Sequence, residues 1–324
     1  MTAETQSLIA VSKGVPSPRK GVDWTIAGPL LLVHLLCLLA PFTFTWEGLF
    51  AFLLMYLVTG FGVTAGAHRF YTHASFEASA LVRWMLSLSF HLAGQGSLSR
   101  WVRDHHIHHS YSDREGDPHS PHHSGGFWFA QLTWLWQKPV SAEENKALYQ
   151  RFAKGLKQDA AVRVFSQGAA LTALHLGFIA LAYTAGALWQ EGLQMQSLWL
   201  GWHTGISVVI WGVFLRIAAV LHSTSLVNSA SHLWGYRNYE TREESRNNAW
   251  VAFVSLGEGW HNNHHGRPSA ANQGFHNWWE FDLTFCFLLL LGSLGLIRQV
   301  RVFRAKTQST EVWFNRKSDA KPSN

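Results

Sequence analysis

LFAFLLMYLVTGFGVTAGAHRFYTH, Leu49–His73, runs from an unbroken apolar stretch straight into two histidines. A helix crosses a bilayer core with about 20 apolar residues. Leu49–Ala67 therefore reads as a membrane span, with His68 and His73 as polar groups held at its end. Working outward, two more histidine clusters appear, HHIHH at His105–His109 and HNNHH at His261–His265, each where apolar sequence gives way to polar. Imidazoles at short fixed spacings are how a chain assembles a transition-metal site, and three clusters far apart in sequence imply one composite site.

Composition agrees with a membrane metalloenzyme. Of 324 residues, 48% are hydrophobic and only 14% charged, and 17 are Trp, a skew unlike that of a soluble enzyme. The net charge of +6 comes mainly from the tails and from loops beside apolar spans. That is the pattern of cytoplasmic loops facing anionic lipid, so nucleic acid is not the expected partner. The two cysteines, Cys37 and Cys286, lie in apolar stretches and can build neither a disulfide framework nor a thiolate-ligated cluster. Electrons for any redox chemistry must come from outside.

Four segments are long enough to span: Trp24–Thr43, Leu49–Ala67, Phe165–Leu188 and Leu198–Leu221. The first two are joined by PFTFTWEG and the second two by WQEGLQMQS, which reads as two transmembrane hairpins. With Lys13, Arg19 and Lys20 inside, both hairpins begin and end on the cytoplasmic side, placing all the histidine clusters and both termini there. Ala78–Leu98, with Arg83, His91 and Gln95, suits an interfacial helix, and Leu283–Ile297 suits an interfacial or re-entrant one. The expected organisation is a polar tail over 1–23, a single all-α membrane domain over 24–297, and a basic tail over 298–324.

On a helix, residues three and four apart share a face, so His105, His108 and His109 are expected to aim at one point, and His261, His264 and His265 at another. His68 and His73, five apart, diverge by roughly 140° on an ideal helix. They converge only if the helix end is distorted, or else each serves a different metal; the mismatch favours two metals. Nitrogen donors suit iron, zinc, copper or nickel, and eight or more ligands exceed the four of a structural zinc site. His34, His175 and His203, inside the expected spans, read as packed or hydrogen-bonded core residues.

These motifs resemble the integral-membrane fatty acyl desaturases, in particular their stearoyl-CoA (delta-9) branch. GAHRFYTHASF, RWVRDHHIHHSYSD and GEGWHNNHH are similar to that family's three histidine boxes, and NSASHLWG to its fourth motif, in which Asn228 and His232 match a water-mediated metal contact and a ninth imidazole. The resemblance covers about residues 60–280. It implies four membrane helices under a cytosolic helical cap, and two irons held by His68, His73, His105, His108, His109, His232, His261, His264 and His265, with Asn228. It further implies that dioxygen is the co-substrate and that the product is a cis double bond in an acyl chain carried by CoA or lipid. Trp101 matches a position that shapes the family's bent acyl tunnel, and Arg103 and Asp104 match positions that contact the polar carrier. For that last pair, the competing reading is a solvated ion pair. Small residues near Gly60, Gly62 and Ala65 are candidates to line the tunnel.

Asp113, Glu115, Asp117, Glu258 and Asp282 are candidates to orient metal-bound imidazoles. His119, His122 and His123, in the loop GDPHSPHHSGG, are left out of the metal set, as is His106, which points about 100° from His105. No HPGG haem-binding segment is present, so the donor is expected to be a separate ferredoxin, or a b-type cytochrome with its reductase, steered by basic loops. The short tails suggest a bacterial inner-membrane enzyme. Two alternatives use the same residues: a related di-iron hydroxylase or ketolase, and a histidine-rich metal transporter. A transporter would place its ligands near the bilayer midplane. No HExxH motif supports a zinc protease.

Overall fold

The computed structural model describes residues 15–16, 21–122, 125–138, 141–194 and 198–315. Lys13, Arg19, Lys20, His123 and the end of the link WQEGLQMQS lie outside the described residues, as does the chain from 316 onward. The architecture is predominantly helical: α1 Trp24–Cys37, α2 Trp46–Phe61, α3 Ala80–Leu92, α4 Leu98–Tyr111, α5 Gly126–Gln131, α6 Ala142–Phe152, α7 Ala160–Phe165, α8 Gly168–Gln194, α9 Leu198–Val209, α10 Arg216–Leu233, α11 Ala249–Val254, α12 His261–Gly266 and α13 Leu283–Ser293. Two π-helical segments, Gly62–Thr72 and Ile210–Leu215, continue α2 and join α9 to α10.

Four continuous helical stretches are long and apolar enough to cross a membrane: Trp24–Phe42, Trp46–Thr72, Gly168–Trp189 and Gly201–Leu233. Their outer faces expose Leu31, Leu32, Leu35 and Leu38 on the first and Leu176, Leu181 and Leu188 on the third. Such apolar rows are unfavourable in water and neutral in lipid. The second and fourth stretches run further than the hydropathy suggests, because the helix continues past the last apolar residue into His68 and His232. Both histidines therefore sit on the ends of spanning helices rather than after them. α8 and α9 are in close contact where Gly186 meets Thr204 and Gly205, and where Gly205 meets Tyr183, since small residues let apolar helices pack backbone to backbone.

Caps define the helices that carry the site. The Ser97 hydroxyl accepts from the Arg100 N–H at the start of α4, and Asp282 accepts from the Phe285 N–H at the start of α13. Between them, Val82 and Leu86 of α3, Phe285 and Leu288 of α13, and Ala65 form a core under the site.

Part of the segment expected to be a basic tail is paired backbone. β1 (Glu77–Ala78) pairs antiparallel with β2 (Ile297–Arg298), and β3 (Val300–Arg304) with β4 (Ser309–Trp313). Val300, Val302 and Phe303 are buried while Arg301 and Arg304 are exposed, so the strand hides its apolar side chains and leaves the basic ones in solvent. The fold is helical, as expected, and among the described residues two small two-stranded sheets are added to it.

Candidate metal centre

His68 and His73 converge because their helix is not an α-helix. The N–H of His73 donates to the carbonyl of His68 at 3.1 Å, five residues back, and the Thr72 hydroxyl reaches the Ala67 carbonyl at 2.7 Å, also five back. This wider turn brings residue i+5 nearly above residue i. The two rings lie 4.9 Å apart between centroids. Of the two explanations open at the sequence level, distortion of the helix end is the one observed, and both histidines enter one cluster.

The two triplets do not each aim at one point, contrary to expectation. Ligand atoms gather into two groups, each within 4.8 Å: His68, His73, His105, His109 and His264 in one, and His108, His232, His261 and His265 in the other. On α4, the i, i+4 pair His105 and His109 goes to the first cluster and His108 to the second. On α12, the pair His261 and His265 goes to the second and His264 to the first. Positions i+3 and i+4 are roughly 100° apart around a helix, so two helices facing each other across the site feed both clusters.

Within each cluster the Nε2 atoms face one another. His68–His264 is 3.1 Å, His73–His105 3.1 Å, His105–His109 3.0 Å and His109–His264 2.9 Å; in the second cluster, His232–His261 and His261–His265 are both 3.1 Å. The opposite ring nitrogens are held from behind. Nδ1 of His68 contacts Glu258, Nδ1 of His108 lies 3.0 Å from Asp117, Nδ1 of His232 is 2.8 Å from Asp113, and Nδ1 of His265 is 3.5 Å from Glu243. A carboxylate on Nδ1 selects the tautomer with its proton there and leaves Nε2 as a lone pair.

A set of buried lone pairs facing each other is repulsive unless a cation lies among them. Two imidazole nitrogens bound at right angles to one ion, each at about 2.1 Å, sit about 3.0 Å apart, which matches these separations. His108 Nε2 is buried and has no hydrogen-bond partner among the described residues. Burial, reinforced by neighbouring histidines, pushes His73, His105, His109, His261, His264 and His265 well below the usual imidazole range, so they are neutral donors. At His108 burial acts the same way, but Asp117 outweighs it and raises the group. The residues fit a metal centre.

Of the five acidic candidates, Asp113, Asp117 and Glu258 contact ligand rings. Asp282 instead pairs with Arg69, and Glu115 is exposed. Two residues escaped the sequence reading. Glu243 stands behind His265, and Gln273 Nε2 lies 3.3 Å from His68 Nδ1, 3.4 Å from His264 Nδ1 and 3.1 Å from Glu258. Neither belongs to a motif, and only folding brings them near.

A narrow cavity abuts both clusters. Tyr56, Gly60, Val63, Trp101, Val220 and Val227 supply apolar wall, and His68, His105 and His261 touch its floor, with Asn228 beside them. Trp101 stacks on His105 at 5.0 Å, and its indole N–H donates to Gln95, whose amide donates to Thr224. Of the small residues considered as lining, Gly60 does line the cavity; Gly62 packs against the α3 backbone, and Ala65 belongs to the core.

The sequence profile of the fatty acid desaturase family matches residues 43–286, more than half of the chain. This chain belongs to the fatty acid desaturase family. It is 37% identical over 289 residues to an sn-1 stearoyl-lipid 9-desaturase of Anabaena variabilis, covering 88% of this chain and 96% of that one. It is 35% identical to Delta-9 acyl-lipid desaturase 1 of Arabidopsis thaliana (87% and 85% covered) and 34% identical to icosanoyl-CoA 5-desaturase of Limnanthes douglasii (84% and 70% covered). The protein is thus an oxidoreductase acting on acyl chains at a membrane, and its histidine clusters point to a metal centre.

In this desaturase Arg103 and Asp104 form a buried pair, not a solvated one. Arg103 donates to Asp104 at 2.8 Å and to Asn145 at 2.5 Å, and its guanidinium lies 4.4 Å over the Tyr149 ring, because α6 packs across α4. Neither residue lines the cavity. His106 faces two carbonyls, of Phe152 at 2.7 Å and Thr72 at 3.1 Å. His119 stacks on His108 at 4.4 Å on the Asp117 side, and His122 Nε2 lies 3.0 Å from the His232 carbonyl. His34 and His175, both half-buried, bond to carbonyls one turn earlier.

Proposed function

We propose that this desaturase introduces a cis double bond at the delta-9 position of a saturated acyl chain. The observation that carries the reading is the contact between an apolar cavity and both histidine clusters. One iron would be held by His68, His73, His105, His109 and His264, the other by His108, His232, His261 and His265, with Asn228 close by. What bound iron supplies there is activation of dioxygen, with external electrons, to the strength that removing hydrogen from an unactivated methylene demands. The protein's own part is to hold the acyl chain against both clusters, exclude water, and fix each imidazole through the carboxylate behind it. Trp101, braced by Gln95, shapes the cavity. Contact of Arg103 and Asp104 with the carrier requires α6 to shift, because Asn145 and Tyr149 cover the guanidinium.

The four apolar helices are read as two hairpins under a cytosolic cap that carries the site, with both termini cytoplasmic and a bacterial inner membrane as the location. Basic loops rich in arginine favour a separate acidic donor, a ferredoxin or a b-type cytochrome. The names of the relatives support both a lipid and a CoA carrier, and two of the three support delta-9.

The test is expression in a desaturase-deficient host with profiling of fatty acids by lipid class. A product two mass units lighter, with its double bond at carbon nine, is expected; a gain of sixteen units would make the protein a hydroxylase. Which lipid class first carries the new double bond identifies the carrier.

A further inference from the structure

The two clusters differ in the charge that stands behind them. At the five-histidine cluster the only carboxylate on a ligand ring is Glu258, among the described residues, and it is shared with a guanidinium. Arg69, fully buried, donates to Glu258 Oε1 at 2.9 and 3.2 Å and to the two oxygens of Asp282 at 3.0 Å each. Two carboxylates and one guanidinium leave one negative charge.

At the four-histidine cluster three carboxylates contact ligand rings: Asp117 on His108, Asp113 on His232 and Glu243 on His265. Their other donors among the described residues are hydroxyls and backbone amides: Ser120 Oγ and the Glu244 N–H on Asp113, the Asp113 and His119 N–H groups on Asp117, and the Ser245 N–H and Oγ on Glu243. Among the described residues no guanidinium pairs with any of the three, so this side keeps three carboxylates behind its rings uncompensated.

We infer that the two sites hold metal unequally: the four-histidine site is the tight one, and Arg69 weakens the other by taking up the charge of Glu258. The inference rests on the two-metal reading above. A carboxylate behind an imidazole raises its basicity and attracts the cation, whereas a carboxylate already paired with a guanidinium does so less. The fifth imidazole of the first cluster is a neutral donor that offsets part of the difference. Two additional charges in a buried, poorly screened site outweigh it.

The experiment uses the full-length, iron-loaded protein in detergent, exposed to graded chelator, with iron remaining per chain measured by metal analysis. Loss in two steps, separated by tenfold or more in chelator concentration, is expected. His73→Ala should keep the tight step and His232→Ala should remove it. Asp113→Asn should move the tight step about tenfold toward weaker binding, with helix content unchanged. Glu243→Gln, on a separate loop, is the second variant should Asp113→Asn misfold, and it should move the same step in the same direction. A single step, a tight step that survives His232→Ala, or a tight step unmoved by the folded carboxylate variants would overturn the inference. Fewer than two irons in the loaded chain would overturn the two-metal reading and this inference with it.

Discussion

Gly62→Ala isolates the role of backbone packing in placing the first histidine pair. A Cβ built on Gly62 lies 2.4 Å from the Phe90 nitrogen and the Ser89 carbonyl carbon, and 2.7 Å from Ser89 Cβ. Ordinary contact is about 3.5 Å, so the methyl group is short of space by roughly 1 Å, and the atoms it meets are backbone that cannot rotate away. The π-helical segment must then move off α3, at a cost of about 1–3 kcal/mol. Because that segment carries His68 and ends directly before His73, a displacement near 1 Å at the reacting centre is expected to lower turnover by about 100-fold. Thermal unfolding of the purified protein in detergent checks the first figure, and unsaturated product per unit of protein in a desaturase-deficient host checks the second. Gly177→Ala, with nothing within 4 Å of its Cβ, is the control. Wild-type stability and wild-type product from Gly62→Ala would refute the claim that this contact positions the site.

Other outcomes follow from the same geometry. His109→Ala or His265→Ala should abolish turnover while the chain still inserts in the membrane; near-normal product from either would remove that residue from the ligand set. Glu258→Gln should weaken metal retention at the five-histidine cluster by less than the about tenfold expected of Asp113→Asn at the other, read by metal analysis after dialysis, because Arg69 already takes up part of the Glu258 charge. Gly60→Ala meets only the flexible end of Leu256 at 2.6 Å, so it should destabilise less than Gly62→Ala while shifting the acyl length preference of the cavity it lines. For Asp117, burial raises the carboxyl, but His108 outweighs it and lowers the group from 3.8 to about 2. Its folded value lies below its unfolded one, so the stability it contributes is present above about pH 4 and is lost as the pH falls toward 2. Unfolding curves of wild type and Asp117→Asn should converge over that window, and parallel curves would contradict it.

Much of the site was legible because ligand identity is a matter of residue type and spacing. Apart from His106, the histidines of the three boxes lie in the two clusters, as does His232, which the family resemblance singled out. What spacing could not say was how they are shared. A helical wheel treats His105, His108 and His109 as one face, yet a second helix opposite splits that face between two centres. The π turn at Gly62–Thr72 was likewise hidden, since hydropathy does not distinguish an i→i+5 ladder from an i→i+4 one. The β3–β4 pairing left only a weak local signal, because Val300, Val302 and Phe303 are interspersed with Arg301 and Arg304 in a strongly basic segment. Glu243 and Gln273 had no local signal at all.

The sequence by itself therefore determined the kind of site and its solvent: four apolar segments and clustered imidazoles mark a metal site at a membrane, and the resemblance of those clusters to the desaturase histidine boxes implied the family. Tertiary structure alone decided the partition of those imidazoles, five and four, and the charges behind them, Glu258 tied to Arg69 on one side and Asp113, Asp117 and Glu243 on the other. The physical reason is range. Donor type and helical period are properties of neighbouring residues, whereas which nitrogen meets which, and which carboxylate stands behind it, depends on segments up to about two hundred residues apart being packed face to face.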